Sequence, residues 1–250
     1  MQQVLKLKEL KIKRKKIFAI ILARSGSKTI KHKNLQKIKG KPLIAWAIES
    51  CKRSKMIEKI FFCTDSIRYG KIAKKYGAHK IIIRPKSLSL DSTSDLETLK
   101  FVLKKIKNSG ENPKIIAHIR PTTPFRKIKI LDNAIKKFLK EKKASSLRTV
   151  HEMSETAYKS YEIDFKKNIL KSLKNLKIDI ELTNFPRQNF AKTYSANGII
   201  DIYRTDEILK KNRLLGKNPI FYLTDHSHEI DTFEQLRYLK YLSKKKNIIS

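Results

Sequence analysis

Short apolar runs alternate along this chain with stretches whose apolar side chains return every three or four positions. The first run, Ile17 to Ala23, is unbroken and rich in isoleucine, the mark of a strand buried on both faces of a parallel sheet. Ile60–Cys63, His79–Ile83, Ile115–Ile119 and Ser145–Val150 repeat that signature in shorter form. Helical patterns lie between them. Pro42 opens one whose apolar face is Leu43, Ile44, Ala47, Ile48 and Cys51. Others are predicted over 66–76, stopped near Gly77, over 95–107, and over 127–139. Strand and helix in alternation predict an α/β fold, a Rossmann-like, doubly wound and mostly parallel sheet.

The alternation breaks at His151. Residues 152–190 are irregular, with β-like pieces at Ala157–Ile163 and Ile178–Leu182, and read as an inserted dimerisation arm. Regular signals resume after Asn197-Gly198, with a strand at Ile199–Tyr203, a short helix after Thr205 and a strand at Ile220–Leu223. An amphipathic helix follows from about Thr232 to Ser243. The expected plan is a basic lead-in over 1–16 and one domain over 17–250 that carries the insertion.

The loop after the first run carries candidate chemistry. Arg24, Ser25, Gly26, Ser27 and Lys28, then Lys33 and Asn34, follow a buried strand at its carboxyl end, where open α/β sheets bind ligands. Ser-Gly-Ser lets backbone N–H groups approach an anion, and Arg24, Lys28 and Lys33 supply positive charge for a triphosphate. The same residues also fit a solvated basic turn. Neither the Walker pattern nor GxGxxG is present.

Composition changes the picture less than it first suggests. The net charge of +35 invites a nucleic-acid reading, a basic binding protein on an α/β scaffold. Yet 46 of the 58 basic residues are lysines spread along the whole chain, whereas nucleic-acid interfaces favour arginine gathered on one face. Specific nucleic-acid binding is therefore not expected, although small anions should be drawn in. Cys51 and Cys63 form no CxxC pair and read as reduced packing residues, which suits a cytoplasmic protein. The lead-in and the first apolar run imitate a secretory leader. The run is short, however, no small-residue cleavage site follows, and no run reaches transmembrane length.

Near the carboxyl end, Glu229 and Asp231 flank Ile230. In extended chain both carboxylates face one way and Ile230 faces the core, an arrangement suited to Mg²⁺. Asp231 also fits the N-cap of the last helix. His226 and His228 are expected on the opposite face, and two imidazoles without a convergent third ligand make a poor zinc site.

Several segments in order resemble one family. Leu22 to Lys28 with Lys33-Asn34, then Gly40-Lys41-Pro42-Leu43, resembles the nucleotide loop of the sugar cytidylyltransferases. Thr64-Asp65, Arg84-Pro85, Arg120-Pro121-Thr122-Thr123-Pro124-Phe125-Arg126, Pro186-Arg187-Gln188, Asn197-Gly198 and Glu229-Ile230-Asp231-Thr232 match later landmarks, from about Ile17 to Leu239. The strongest resemblance is to the CMP-N-acylneuraminate synthetase group. It implies a reaction of CTP with a 2-keto sugar acid, giving CMP-sugar and pyrophosphate with Mg²⁺, in a cytoplasmic homodimer. An octulosonate cytidylyltransferase is the nearer alternative. The resemblance to the N-acylneuraminate group implies catalytic roles for Arg24, Lys28 and Asp231. Asn34, Arg84 and Ser94 stand where the family reads ribose and cytosine, with Asp95 a substitute for Ser94. The sugar acid would meet Arg120, Arg187, Gln188, Tyr194 and Asn197, with Lys159 from the arm. Glu229 departs from the family's usual Asp, and Arg120 and Ser195 from residues common in sialic-acid enzymes.

Overall fold

The computed structural model describes residues 17–174 and 178–245, so the basic lead-in lies outside the described residues. Seven strands form one sheet: β1 (Ile17–Leu22), β2 (Ile57–Thr64), β3 (Lys80–Ile83), β4 (Ile115–Ile119), β5 (Ser146–Glu152), β6 (Tyr194–Arg204) and β7 (Pro219–Leu223). Their spatial order is β7-β5-β6-β4-β1-β2-β3. Neighbours are parallel except that β6 runs antiparallel to both β4 and β5. The helices are α1 (Leu43–Arg53), α2 (Ile67–Tyr76), α3 (Asp95–Asn108), α4 (Ile128–Lys140), α5 (Thr205–Leu209) and α6 (Phe233–Lys245).

Alternation along β1 explains the layers. Ala19 and Ile21 face a core shared with Ile44, Ile48, Tyr69, Leu131 and Phe138 of α1, α2 and α4. Ile20 faces the other way, onto Leu99, Val102 and Ile106 of α3 and Ile208 of α5. The expected doubly wound sheet is thus present, and the strand order reverses between β1 and β4. Their carboxyl ends form the crevice where such sheets bind ligands.

A third core cluster positions the site. Ile30, Ile38, Leu43 and Trp46 pack with Ile230, Leu236 and Leu239. It joins the loop after β1, the small hairpin of Lys37–Ile38 with Lys41–Pro42, and α6. Ile230 is fully buried there, as its pattern predicts, and burying such a side chain is worth about 2 kcal/mol. Its backbone N–H donates to Thr122 O at 2.9 Å, tying this segment to the loop after β4.

Two local expectations change. Asn197-Gly198 is not a turn before a strand. It lies within β6, where the register against β5 shifts between Ala196 and Asp201, so the pair forms a bulge with Gly198 at φ +66°. Ile178–Leu182 is not β-like: Ile180–Asn184 forms a 3-10 turn capped by Asp179. The arm's hairpin pairs Tyr161–Asp164 with Ile169–Ser172 instead.

Candidate active site

A cleft of about 280 Å³ opens at the crevice between β1 and β4. Arg24, Lys33, Asn34, Arg84, Asp95, Arg120 and Glu229 are among its lining residues. Lys33 Nζ lies 2.8 Å from Asp231 Oδ1, across 198 positions of sequence. The cations of the first loop and the carboxylates near residue 230 therefore converge.

The loop after β1 is held from below. The Ser25 backbone N–H and hydroxyl both donate to the Asp65 carboxylate, at 2.8 and 3.0 Å. Asn34, buried, donates through Nδ2 to Arg24 O at 3.0 Å. Gly26 forms the open tip, where an added Cβ would meet nothing within 4 Å. Two cations share one partner: Asp91 accepts from Arg24 at 2.6 Å and Lys28 at 2.7 Å. The hydrogen bond from Lys28 leads in holding the Asp91 carboxyl below its usual range. Arg84, at the end of β3, is buried with its Nε unpartnered, and burial pulls its guanidinium pKa down.

Ser94 has another task. It caps α3, its hydroxyl accepting from Glu97 N–H while the Glu97 side chain returns to the Ser94 backbone. Asp95, one residue on, lines the cleft instead.

Arg120 is also occupied. Its two terminal nitrogens bond to Asp201 Oδ2 at 2.6 Å and Asp95 Oδ2 at 2.7 Å, and Arg148 adds a second cation on Asp201. Burial alone would raise the Asp201 pKa, but Arg120 and Arg148 outweigh it and hold the carboxyl down. His118 lies beneath, buried, with Nδ1 unpartnered. Burial, then Arg120, push its pKa down to about 4.

The carboxylates are held from two sides. Thr122 Oγ1 donates to Glu229 Oε1 at 2.8 Å. Thr232, not Asp231, caps α6: its hydroxyl accepts from Gln235 N–H, and Gln235 Oε1 accepts from Thr232 N–H. Asp231 is left with its carboxylate largely exposed toward Lys33. Arg126 ties the neighbouring loops together through Ile199 O, Gly198 O and Arg120 O.

The other sugar candidates divide. Arg187 and Gln188 line a separate cavity of about 420 Å³ on the arm, which shares no lining residue with the cleft. Arg187 is paired with Glu152, and Lys159 donates to Phe185 O. Tyr194 is half-exposed at the start of β6. Asn197 is buried, donating to Thr224 Oγ1 at 2.7 Å and accepting from Ile199 N–H. It nevertheless lines a third cavity of about 250 Å³, with His151, His226, His228, Glu229, Asp231 and Tyr238.

This last cavity corrects one expectation. His226 and His228 line one cavity together with both carboxylates, rather than facing away from them. His151 joins them: its ring centroid lies 4.7 Å from that of His226, which lies 4.7 Å from that of His228. Burial, then the neighbouring His226, lower the pKa of both His151 and His228.

Sequence reasoning passed over Asp91, Asp201, Arg148, His118 and His151. Asp91, Asp201 and Arg148 pair with residues distant in sequence, His151 packs on His226, and His118 is set apart by burial, so no local pattern marks them. Arg126 and Thr122 stand inside the quoted Arg-Pro-Thr-Thr-Pro-Phe-Arg segment, where their roles were open to inspection.

Comparison with known proteins gives a consistent result. The family model described as cytidylyltransferase matches residues 18–249. The N-acylneuraminate cytidylyltransferase of Escherichia coli O18:K1:H7 is 30% identical over 229 residues, covering 90% of this chain and 51% of its own length. The chain thus spans about half of that relative. A CMP-N,N'-diacetyllegionaminic acid synthase of Campylobacter jejuni is 27% identical over 236 residues, covering 93% of this chain and 97% of its own. In structure, a CMP:2-keto-3-deoxy-manno-octonic acid synthetase complexed with CTP superposes with TM-score 0.70 at 18% identity, over 92% of this chain and 99% of its own.

Proposed function

The chain belongs to the cytidylyltransferase family, and on that premise we propose that it joins CTP to a nine-carbon 2-keto sugar acid, releasing pyrophosphate. The sugar's anomeric hydroxyl oxygen attacks the α-phosphorus. The new P–O bond forms as the bond to pyrophosphate breaks, and the hydroxyl proton passes to water. No covalent enzyme intermediate is needed, so the protein's work is positioning and charge stabilisation. The observation that carries this reading is the 2.8 Å contact of Lys33 with Asp231 at the mouth of a cleft lined by Arg24, Arg84 and Glu229. The sequence relatives bearing nine-carbon acid names favour that acid over an eight-carbon one.

Arg24, Lys28 and Lys33 bind the triphosphate, with the Ser25-Gly26-Ser27 backbone presented beside it. Arg84 and Asp95 read the nucleoside, and Asn34 holds the loop in shape. Glu229 and Asp231 fit a Mg²⁺ ion: two hard oxygen donors line one cavity, and Mg²⁺ takes one or two carboxylates with phosphate and water completing its shell. When bound, the ion would neutralise charge developing on the phosphates. Lys33 and Asp231 hold each other in place until then.

A second copy completes the picture. Seven of the seventeen exposed large apolar side chains among the described residues fall between Tyr161 and Phe185. The arm therefore presents a surface suited to a homodimer. Lys159, Arg187, Gln188 and Tyr194 do not line the nucleotide cleft of their own chain, so their contact with sugar needs the arm of a partner. The setting proposed is cytoplasmic, and no helix among the described residues is long and apolar enough to cross a membrane.

The test is direct. CTP with Mg²⁺ should raise the melting temperature where ATP does little. Pyrophosphate should then be released on adding N-acylneuraminate or N,N'-diacetyllegionaminate, and not with an octulosonate. Asp231→Asn should lower that rate by about 100-fold or more with the fold intact, since Thr232 supplies the helix cap. No pyrophosphate from any acid sugar would refute the reading.

A further inference from the structure

The cavity beside Glu229 contains chemistry that the nucleotide does not use. His151, His226 and His228 come from the end of β5 and from the loop after β7, and form a chain of edge-to-face rings that ends on Tyr238. The cavity they line with Asn197 measures about 250 Å³ and shares Glu229 with the nucleotide cleft. His151 Nδ1 is buried without a hydrogen-bond partner. The loop contributes no regular structure, so nothing in the sheet requires three imidazoles here.

We propose that this histidine cavity is the pocket that selects an N-acylamino substituent of the acid sugar. This rests on the transferase reading above and specifies which acids the site takes. The location follows from the reaction. The α-phosphorus must lie near the Lys33–Asp231 contact, and the attacking hydroxyl beside it. The remainder of the sugar then has Glu229 and the cavity beyond it as its neighbouring space.

The chemistry follows from the lining. A neutral imidazole offers one donor and one acceptor. An acylamino group offers one N–H and one carbonyl, with an apolar methyl or similar tip. Three rings packed edge to face supply matching polar atoms together with apolar ring surface for that tip. A hydroxyl in place of the acylamino group satisfies fewer polar atoms and leaves the ring surfaces bare.

The experiment uses full-length protein labelled at histidine and two acids: an N-acetylated nine-carbon 2-keto acid and its counterpart with hydroxyl in place of acetamido. The ring resonances of His151, His226 and His228 are followed during titration, and pyrophosphate release is measured in parallel with CTP and Mg²⁺. The acetylated acid should shift the three rings and the hydroxy acid should not. The exposed His226 is the safest substitution. His226→Ala should lower kcat/KM by about 10-fold or more for the acetylated acid and by less than about 3-fold for the hydroxy acid, with CTP affinity unchanged. His226→Gln, which keeps a donor and an acceptor, should restore part of the preference. Equal losses for both acids, or turnover without ring shifts, would overturn the pocket and leave the transferase reading standing. Ring shifts without any pyrophosphate would do the reverse.

Discussion

At Gly198 an added Cβ would lie 2.7 Å from Thr123 Oγ1 and 3.2 Å from Glu229 Oε1, in a backbone at φ +66°. The bulge thus needs glycine both for its left-handed conformation and for the close approach of Glu229. Gly198→Ala should cost about 1–3 kcal/mol in denaturant unfolding and raise the Mg²⁺ concentration needed for half-maximal rate, because Glu229 must move. An unchanged stability and metal requirement would show that the bulge relaxes freely. His118 gives a second residue-scale expectation. Its pKa falls from 6.5 to about 4 on folding, through burial and then Arg120. The unfolded chain therefore binds more protons between those values, and stability must fall as pH drops from about 6.5 toward 4. The contribution is about 3 kcal/mol at most. His118→Gln, neutral throughout, should flatten that part of the melting-temperature profile. A profile as steep as that of the wild type would assign the pH dependence to other groups.

At the scale of elements, the loop between β3 and α3 places a carboxylate on two of the cations proposed for the triphosphate. Its Asp91 carboxylate sits on Arg24 and Lys28, where a phosphate would bind. On the proposed reading, CTP must displace it. Asp91→Asn removes a negative charge from the triphosphate's place and should tighten CTP binding by about 3- to 10-fold in calorimetry. Weaker binding would mean instead that Asp91 orients the two cations for the ligand. The same scale explains α6. Its Leu236 and Leu239 anchor the third cluster, and that anchoring draws Ile230 inward and aims the flanking carboxylates outward.

For the whole molecule, the proposed homodimer rests on the arm. Phe165 is 86% exposed and Leu170 54% on the arm's hairpin. Replacing both by Glu should convert a dimer to monomers in sedimentation velocity. It should also lower kcat/KM for the sugar while CTP binding holds, if the partner's arm reaches the acceptor. Dimers that persist would move the interface off the hairpin. Much of the architecture was already written in the chain. Apolar runs and three- to four-residue periodicities mark strands and helices because burial of one face or two dictates composition. The cationic loop after β1 and the Glu229-Ile230-Asp231 triplet were legible for the same reason, being local patterns with local causes. What the linear pattern left open is every pairing made at long range. Ser94 turned out to be a cap and Arg120 a bridge between Asp95 and Asp201. His226 and His228 proved to share a cavity with the carboxylates and with His151. Charge and hydrogen-bonding capacity belong to residue types and can be read in order along a sequence. Which partner satisfies them depends on distance in space, and that is fixed only when the sheet, its bulge and the last helix close around one crevice.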